Sequence, residues 1–493
     1  MFILDHLIFT IIFLPLIGAT FISLFLNKNS IKQIQYFSLF FSFLTFIISL
    51  FLWIFFDNST SIFQFTEVLT WLPHKNINCF IGIDGISLFF ILLITLLTPI
   101  CILSSFQVIN KNFKEFIILF LIMESFLMIV FSILDIIIFY IFFESILIPM
   151  FLIIGIWGSR KRKIRSNYMF FLYTLFGSVL MLIAILFVYF NKGTTDYQTL
   201  LTLPFNFYYQ KILWMAFFIG FAIKVPMFPF HIWLPEAHVE APTSGSVMLA
   251  GILLKLGTYG FIRFLIPLFP LATIYYTPFV YILGLIGIIY TSLTAIRQTD
   301  LKKIIAYASV AHMNLVIIGL FTINIYGIGG SILQMIGHGV ISSALFLGIG
   351  VLYDRHHTRL IKYFGGITFT MPIFAIIFLI FTLANIAVPG TGSFVSELLL
   401  LVGLFKHNYF ITFFAATGMV LGAVYSLWLY NRIFFGLIKT KYINQFEDIN
   451  KRELFLFIPL IILVFIMGIY PDIFLQSMNI SILNLLEGFK NIQ

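Results

Sequence analysis

The chain of 493 residues is 61% hydrophobic and only 10% charged, with a mean hydropathy of +1.09, whereas a soluble domain carries about 25% charged side chains. These figures exclude a soluble enzyme and describe an all-α polytopic membrane protein. The net charge of +9 does not point to nucleic acid as a partner, because the basic side chains collect in short loops rather than in one patch.

A helix needs about 20 apolar residues to cross the hydrocarbon core. On that basis the sequence divides into about fourteen spans, near 2-27, 34-56, 84-107, 113-133, 136-157, 165-190, 209-235, 240-267, 273-297, 303-323, 327-353, 367-405, 409-437 and 453-477. The opening run MFILDHLIFTIIFLPLIG lacks a basic leader and a small-residue cleavage site, so it reads as a retained first helix. The twelfth stretch is too long for one straight crossing and is expected to be broken or strongly tilted. The polar interruptions around 57-83, 191-208 and 438-452 are too short to fold alone, so residues 1-493 form a single transmembrane domain.

Loop charges test this division independently. Twenty of the 28 Lys and Arg residues fall in odd-numbered loops, among them Lys28, Lys111, Arg160, Lys302, Arg359 and Lys441. Only five, Lys75, Lys192, Lys211, Lys406 and Lys490, fall in even loops or the C-terminal tail. This asymmetry places the odd loops on the positive side and both termini opposite it. The loop HIWLPEAHVEAPT, His231 to Thr243, has no Lys or Arg, so its side follows from its neighbours.

Two spans are interrupted. AIKVPMFPF carries Pro226 and Pro229 just after Lys224, and NIAVPGTGSFVSE carries Pro389, Gly390 and Gly392 just before Glu397. Taking spans 4-8 (113-267) and 9-13 (273-437) as two five-helix units makes each broken helix the fourth of its unit. The odd helix number makes the units inverted repeats with broken helices 7 and 12.

The buried ionisable residues fit this frame. Glu144 and His312 sit on the second helices of their units, Lys255 on the fifth helix of the first, and His338 on the third of the second. A charge at bilayer depth costs roughly 2.5–3.5 kcal/mol, so Glu144, Lys224, Lys255, His312, His338 and Glu397 are candidates for a proton relay. Structural readings stand beside this one. The lysines could snorkel, Glu144 could pair structurally with a lysine, the histidines could bridge helices, and Glu397 could cap its half-helix. Glu124 is a further buried acid that either joins the proton path or stays structural. Asp84 reads as a helix-start cap, and Asp135 and Asp300 as turn residues. Cys79 and Cys101 are too few for a disulfide framework and have no metal-ligand spacing. No nucleotide fingerprint, cysteine cluster or haem-type histidine pair occurs in the sequence, so no cofactor is expected on this chain.

The 42-residue segment Gly220 to Phe261, GFAIKVPMFPFHIWLPEAHVEAPTSGSVMLAGILLKLGTYGF, closely resembles the antiporter-like membrane subunits of respiratory complex I, and among them the subunit 4 family of NADH dehydrogenase. FYIFFESILIPMFLIIGIWGSRKRK (139-163), RQTDLKKIIAYASVAHMNLVIIG (297-319) and GTGSFVSE (390-397) extend the resemblance over essentially the whole chain. Residues 191-211 match no family motif. The resemblance implies that the family's key glutamate is Glu144, its broken-helix lysine Lys224 and its central lysine Lys255. It also implies that its two histidines are His312 and His338, and its terminal acid Glu397. It further implies proton pumping from matrix to intermembrane space in the mitochondrial inner membrane, driven by electron transfer from NADH to ubiquinone elsewhere in the complex. The basic loops would face the matrix and the termini the intermembrane space. The implied partners are the other membrane-arm subunits, including neighbouring antiporter-like ones, and membrane lipid, with cardiolipin a candidate. The 64 phenylalanines, with abundant Ile, Asn and Lys, resemble AT-rich organellar coding. A subunit of a multisubunit sodium/proton antiporter is the alternative, and a structural membrane scaffold is a third reading. The larger sibling subunit, which carries a long lateral helix, is set aside because this chain ends soon after span 14.

Overall fold

A computed structural model describes residues 6–72, 77–109, 111–439 and 447–490. Lys75 and Lys441 of the loop tally lie outside the described residues, as do residues 2–5 of the first expected span and the side chain of Lys490.

In chain order the long helices are α1 (Leu7–Phe25), α2 (Ile31–Ile54), α3 (Gly85–Ser105), α4 (Phe113–Ser132), α5 (Ile136–Trp157) and α6 (Lys163–Lys192). A short α7 (Tyr197–Thr202) and the pair α8 (Phe207–Lys224) and α9 (Trp233–Glu240) follow. Then come α10 (Thr243–Leu268), α11 (Pro270–Arg297), α12 (Leu301–Leu320) and α13 (Ile325–His356). The chain continues with the pair α14 (Pro372–Asn385) and α15 (Gly392–His407), then α16 (Tyr409–Phe434), α17 (Lys451–Ile469) and α18 (Asp472–Lys490). Among the described residues, 12 helices are long and apolar enough to cross a membrane. The expected seventh and twelfth spans are not among them; each is built from two helices.

The all-α class holds with one two-stranded addition: β1 (Gln64–Leu72) and β2 (Ile77–Ile83) form an antiparallel hairpin in the interruption between α2 and α3. There the backbone leaves the apolar core and pairs with itself. The segment beyond α17 is not a simple tail. Phe474, Met478, Ile482, Leu486 and Phe489 of α18 are all buried, forming one apolar stripe that α18 lays against α3 and α13. Finally, most of the loop His231 to Thr243 is α9, and the twelfth segment runs as two helices over 372–407 rather than 367-405.

The odd loops interlock on one face. Lys28 pairs with Glu115 at 2.5 Å, Trp157 Nε1 donates to the Lys111 carbonyl, and Ser159 N donates to the Glu240 carbonyl. Lys303 pairs with Glu236 at 2.6 Å, Leu301 N bonds the Arg359 carbonyl, and Arg355 grips Glu453. The basic-free α9 segment therefore lies on the same face as the basic loops that cover it. The hairpin, α7 and α18 lie on the opposite face. Leu134 N donates to Phe80, Ile136 N to Thr195, and Gly85 N to Ser481 Oγ. His6, bonded to Glu67 at 2.9 Å, lies there too.

The central helices are α10 and α13, the two spans whose apolar windows are fully buried. They cross at glycines: a Cβ on Gly339 would stand 3.0 Å from the Gly251 carbonyl, and one on Gly251 2.7 Å from Ser343 Oγ. This crossing lies one turn from Lys255 and beside His338. Gly251→Val is expected to push the helices apart, costing about 1–3 kcal/mol or more. It should show as a lower thermal unfolding midpoint of the protein.

Candidate functional site

Both broken helices have a visible cause. Pro226 and Pro229 cannot donate backbone hydrogen bonds, so α8 stops at Lys224. The indole of Trp233 takes the exposed Ile223 carbonyl at 2.9 Å, and Met227 N reaches the Ala222 carbonyl. In the second break Ala387 and Gly390 have φ of 63° and 94°, and the Ser393 hydroxyl takes the Ala384 carbonyl. In the first break a side chain from beyond the break satisfies the open carbonyl, and in the second a hydroxyl adds to the Ala387 N–H already on the Ala384 carbonyl.

Lys224, the last residue of α8, lies at a helix C-terminus, where a cation is favoured. Its Nζ donates to the Phe143 carbonyl at 3.1 Å and sits 4.0 Å above the Phe143 ring. Glu144 follows immediately on α5. Pro149 leaves the Ser145 carbonyl without its helical donor, and the regular hydrogen bonding of α5 is interrupted at Ile146. Glu144 shares Ser178 with Tyr140, and its Oε1 has no hydrogen-bond partner. The expected Glu144–Lys224 partnership is thus not a direct ion pair. The ammonium is held by the preceding carbonyl and ring, and its charge acts on the carboxyl across a gap.

The other four residues form two bonded pairs, Lys255–His338 and His312–Glu397, that meet where the two imidazole rings face each other. Lys255 is flanked by two π-helical turns, Leu249–Leu253 and Phe261–Leu265. The first of these presents the Ala250 carbonyl to Lys255 Nζ at 2.5 Å. The same ammonium lies 2.9 Å from His338 Nδ1. The His338 and His312 rings are 5.8 Å apart, and His312 Nδ1 is 3.2 Å from Glu397 Oε1. Gln334 Nε2 donates to that oxygen at 3.1 Å, while Ser396 holds the far end of the amide. Glu397 lies well inside α15, behind the cap position Thr391, so its carboxylate serves His312 and Gln334 rather than the helix end. A cavity of about 20 Å³ beside His312, Asn385, Glu397 and Tyr425 is the size of one water.

No hydrogen bond or ion pair links Lys224 to Lys255 among the described residues. Phe221, Val225 and Gly257 pack between the two helices there. Glu124 also stands apart, on α4. Asp84 caps α3 through Ser87 and meets Arg263 at 2.6 Å, Asp135 caps α5, and Asp300 caps α12.

Sequence reasoning missed a polar cluster at the basic face. Lys302, counted as a loop charge, is 2% exposed and donates to the Ala241 carbonyl at 2.7 Å and to Ser246 Oγ at 3.2 Å. Fully buried His238 stacks on Phe346 and lies within the electrostatic reach of both Lys302 and Lys255. Arg359 bonds the Val239 carbonyl and approaches Asp300 at 3.8 Å. The available signal was the one loop that combines His, Glu and small residues with no basic side chain.

Two interrupted helices, with Lys255, His338 and Glu397 buried and His312 partly buried beside them, are the arrangement of an antiporter-like membrane subunit. Residues 134–469 match the family described as NADH:quinone oxidoreductase/Mrp antiporter, TM. The NADH-ubiquinone oxidoreductase chain 4 of Marchantia polymorpha is 60% identical over 480 residues, 97% of each chain, and that of Arabidopsis thaliana is 59% identical over the same share. A chain of respiratory complex I from Thermus thermophilus with bound NADH superposes with a TM-score of 0.90 at 27% identity, covering 98% of this chain and 99% of that one. The protein belongs to this family and, within it, to the NADH-ubiquinone oxidoreductase chain 4 group.

Proposed function

We propose that this chain is a proton-translocating membrane-arm subunit of respiratory complex I, moving protons from matrix to intermembrane space in the mitochondrial inner membrane. The observation that carries the reading is the line Lys255–His338–His312–Glu397, buried except for the partly buried His312, with Glu144 and Lys224 at the neighbouring broken helix. Ammonium, imidazole and carboxyl are groups that exchange protons, and imidazole bridges by accepting at one nitrogen and releasing at the other.

The frame is two inverted five-helix units, 113-267 and 273-437, with Lys255 as the link between them. The basic face is the matrix side, and both termini lie toward the intermembrane space. Electron transfer from NADH to ubiquinone takes place on other subunits, and this chain holds no redox cofactor. Its partners are the neighbouring antiporter-like subunits and lipid, with cardiolipin a candidate. One charge moved against 100 mV costs about 2.3 kcal/mol, so the redox step must shift the energies of the buried groups by at least that order.

Full-length identity to chain 4 relatives favours this reading over a multisubunit sodium/proton antiporter. Purification from native membranes and reconstitution into vesicles tests it. The chain should co-purify with flavin and iron–sulfur subunits, and NADH plus ubiquinone should drive proton movement. Isolation without those subunits, together with sodium-for-proton exchange, would establish the antiporter reading instead.

A further inference from the structure

Glu124 is fully buried on α4, and its two oxygens meet different surroundings. Oε1 accepts from Thr45 Oγ1 at 2.9 Å and from Thr98 Oγ1 at 3.0 Å, while Oε2 has no hydrogen-bond partner. Burial and these two hydroxyls make up its electrostatic surroundings, with no counter-charge among the described residues. Ionising such a carboxyl carries a cost of several kcal/mol. A neutral amide would join the three helices without that cost.

Each hydroxyl has a second acceptor. Thr45 Oγ1 is also 2.7 Å from the Ser42 carbonyl, and Thr98 Oγ1 is 3.4 Å from the Thr95 carbonyl. A hydroxyl has one hydrogen, so each can donate to the carboxylate or turn back to its own helix. Pro99 prepares the second position, since it cannot supply the helical donor that the Thr95 carbonyl would otherwise receive. The two hydroxyl settings match the two charge states of the acid.

The polar face continues beyond Glu124. Most of α2 faces outward, yet Ser38, Ser42, Thr45 and Ser49 are all 0% exposed along one edge. Opposite them on α3 stand Thr95, Thr98 and Ser105, also buried, with Ser49 Oγ 2.7 Å from Thr95 Oγ1. Because α2 begins and α3 ends at the basic face, Ser38 and Ser105 mark that end. The Ser49–Thr95 rung lies about one turn past Glu124 toward the other face, and the ladder stops there.

We propose that Glu124 is a second proton-exchanging group, loaded from the basic face along the seam of buried hydroxyls between α2 and α3, whose members Ser38, Ser42 and Ser105 bond back to their own helices at rest. This rests on the reading of the chain as a proton translocator, but it uses none of the residues from Glu144 to Glu397. Glu124→Gln keeps the size and the Oε1-type acceptor while removing the titratable carboxyl proton, so a packing role would survive it.

The test uses the assembled complex in vesicles, with proton translocation measured alongside NADH-induced infrared difference spectra in H₂O and D₂O. We expect a carboxyl band that shifts in D₂O and is absent in Glu124→Gln, with translocation lowered at least about threefold at normal assembly. The double variant Thr45→Val/Thr98→Val should slow deuterium exchange of that band and reduce translocation by a smaller factor. Wild-type translocation in Glu124→Gln, or no band lost, overturns the proposal. Should Glu124→Gln fail to assemble, the double variant decides, and unchanged exchange and translocation in it reject the ladder. Undiminished translocation in Lys224→Ala would instead reject the main relay, so the two failures are distinct.

Discussion

Lys224→Ala is expected to abolish quinone-coupled proton translocation, by at least about a hundredfold, in a complex that still assembles. The geometry gives the reason. The ammonium lies at the broken end of α8, held by one carbonyl and one aromatic face. No carboxylate pairs directly with it among the described residues, so it can lose its proton without breaking an ion pair. Removing it leaves the Glu144 carboxyl with no nearby positive charge to respond to. A scaffold role predicts a different result: truncation at a site with so few polar partners would lower stability modestly and leave translocation intact. Vesicle acidification per NADH oxidised, measured beside subunit content, separates the two.

The second large effect is expected from Lys255→Arg. Guanidinium keeps the positive charge and can still reach the Ala250 carbonyl, but it does not give up its proton in proteins. If Lys255 only anchored α10 to α13, the charge-conserving change would be tolerated apart from its added bulk. As the proton-bearing link between the halves, it should instead lose translocation by at least about tenfold. Lys255→Met, which lacks both charge and proton, should be no less impaired, whereas a purely electrostatic role would rank Arg well above Met. Translocation measured on both variants, with complex assembly as the control, gives that ranking.

Most of the membrane architecture was legible because hydropathy and loop charge record the same topology. Twelve spans were visible as apolar runs, and the two that are not single helices were flagged by Pro226 and Pro389 beside buried charges. The hairpin was missed because residues 64–72 and 77–83 have a weak, mixed pattern, and their pairing depends on register across a turn. The stripe of α18 was present at Phe474, Met478, Ile482 and Leu486, but the low mean apolarity of that segment concealed it from a search for spans.

The same limits apply to the site. Burial of Lys255, His338 and Glu397 followed from their place inside apolar runs, whereas the order Lys255–His338–His312–Glu397 is a property of the helix crossings at Gly251 and Gly339. Lys302 read as an ordinary loop charge because its burial comes from α9 folding over it. His238 sits in a loop by hydropathy and in the core by packing. The Lys224–Lys255 gap had no sequence signature, since Phe221 and Val225 look like any other helix residues.

That gap is where the proposed relay is most exposed to test. A structure of the assembled complex at a resolution that shows internal waters measures it directly. The account predicts ordered waters running from Glu144 and Lys224 past Phe221 and Val225 to Lys255, and on through His338 and His312 to Glu397. A dry apolar stretch between Lys224 and Lys255, wider than a chain of waters can bridge in any captured state, would contradict it.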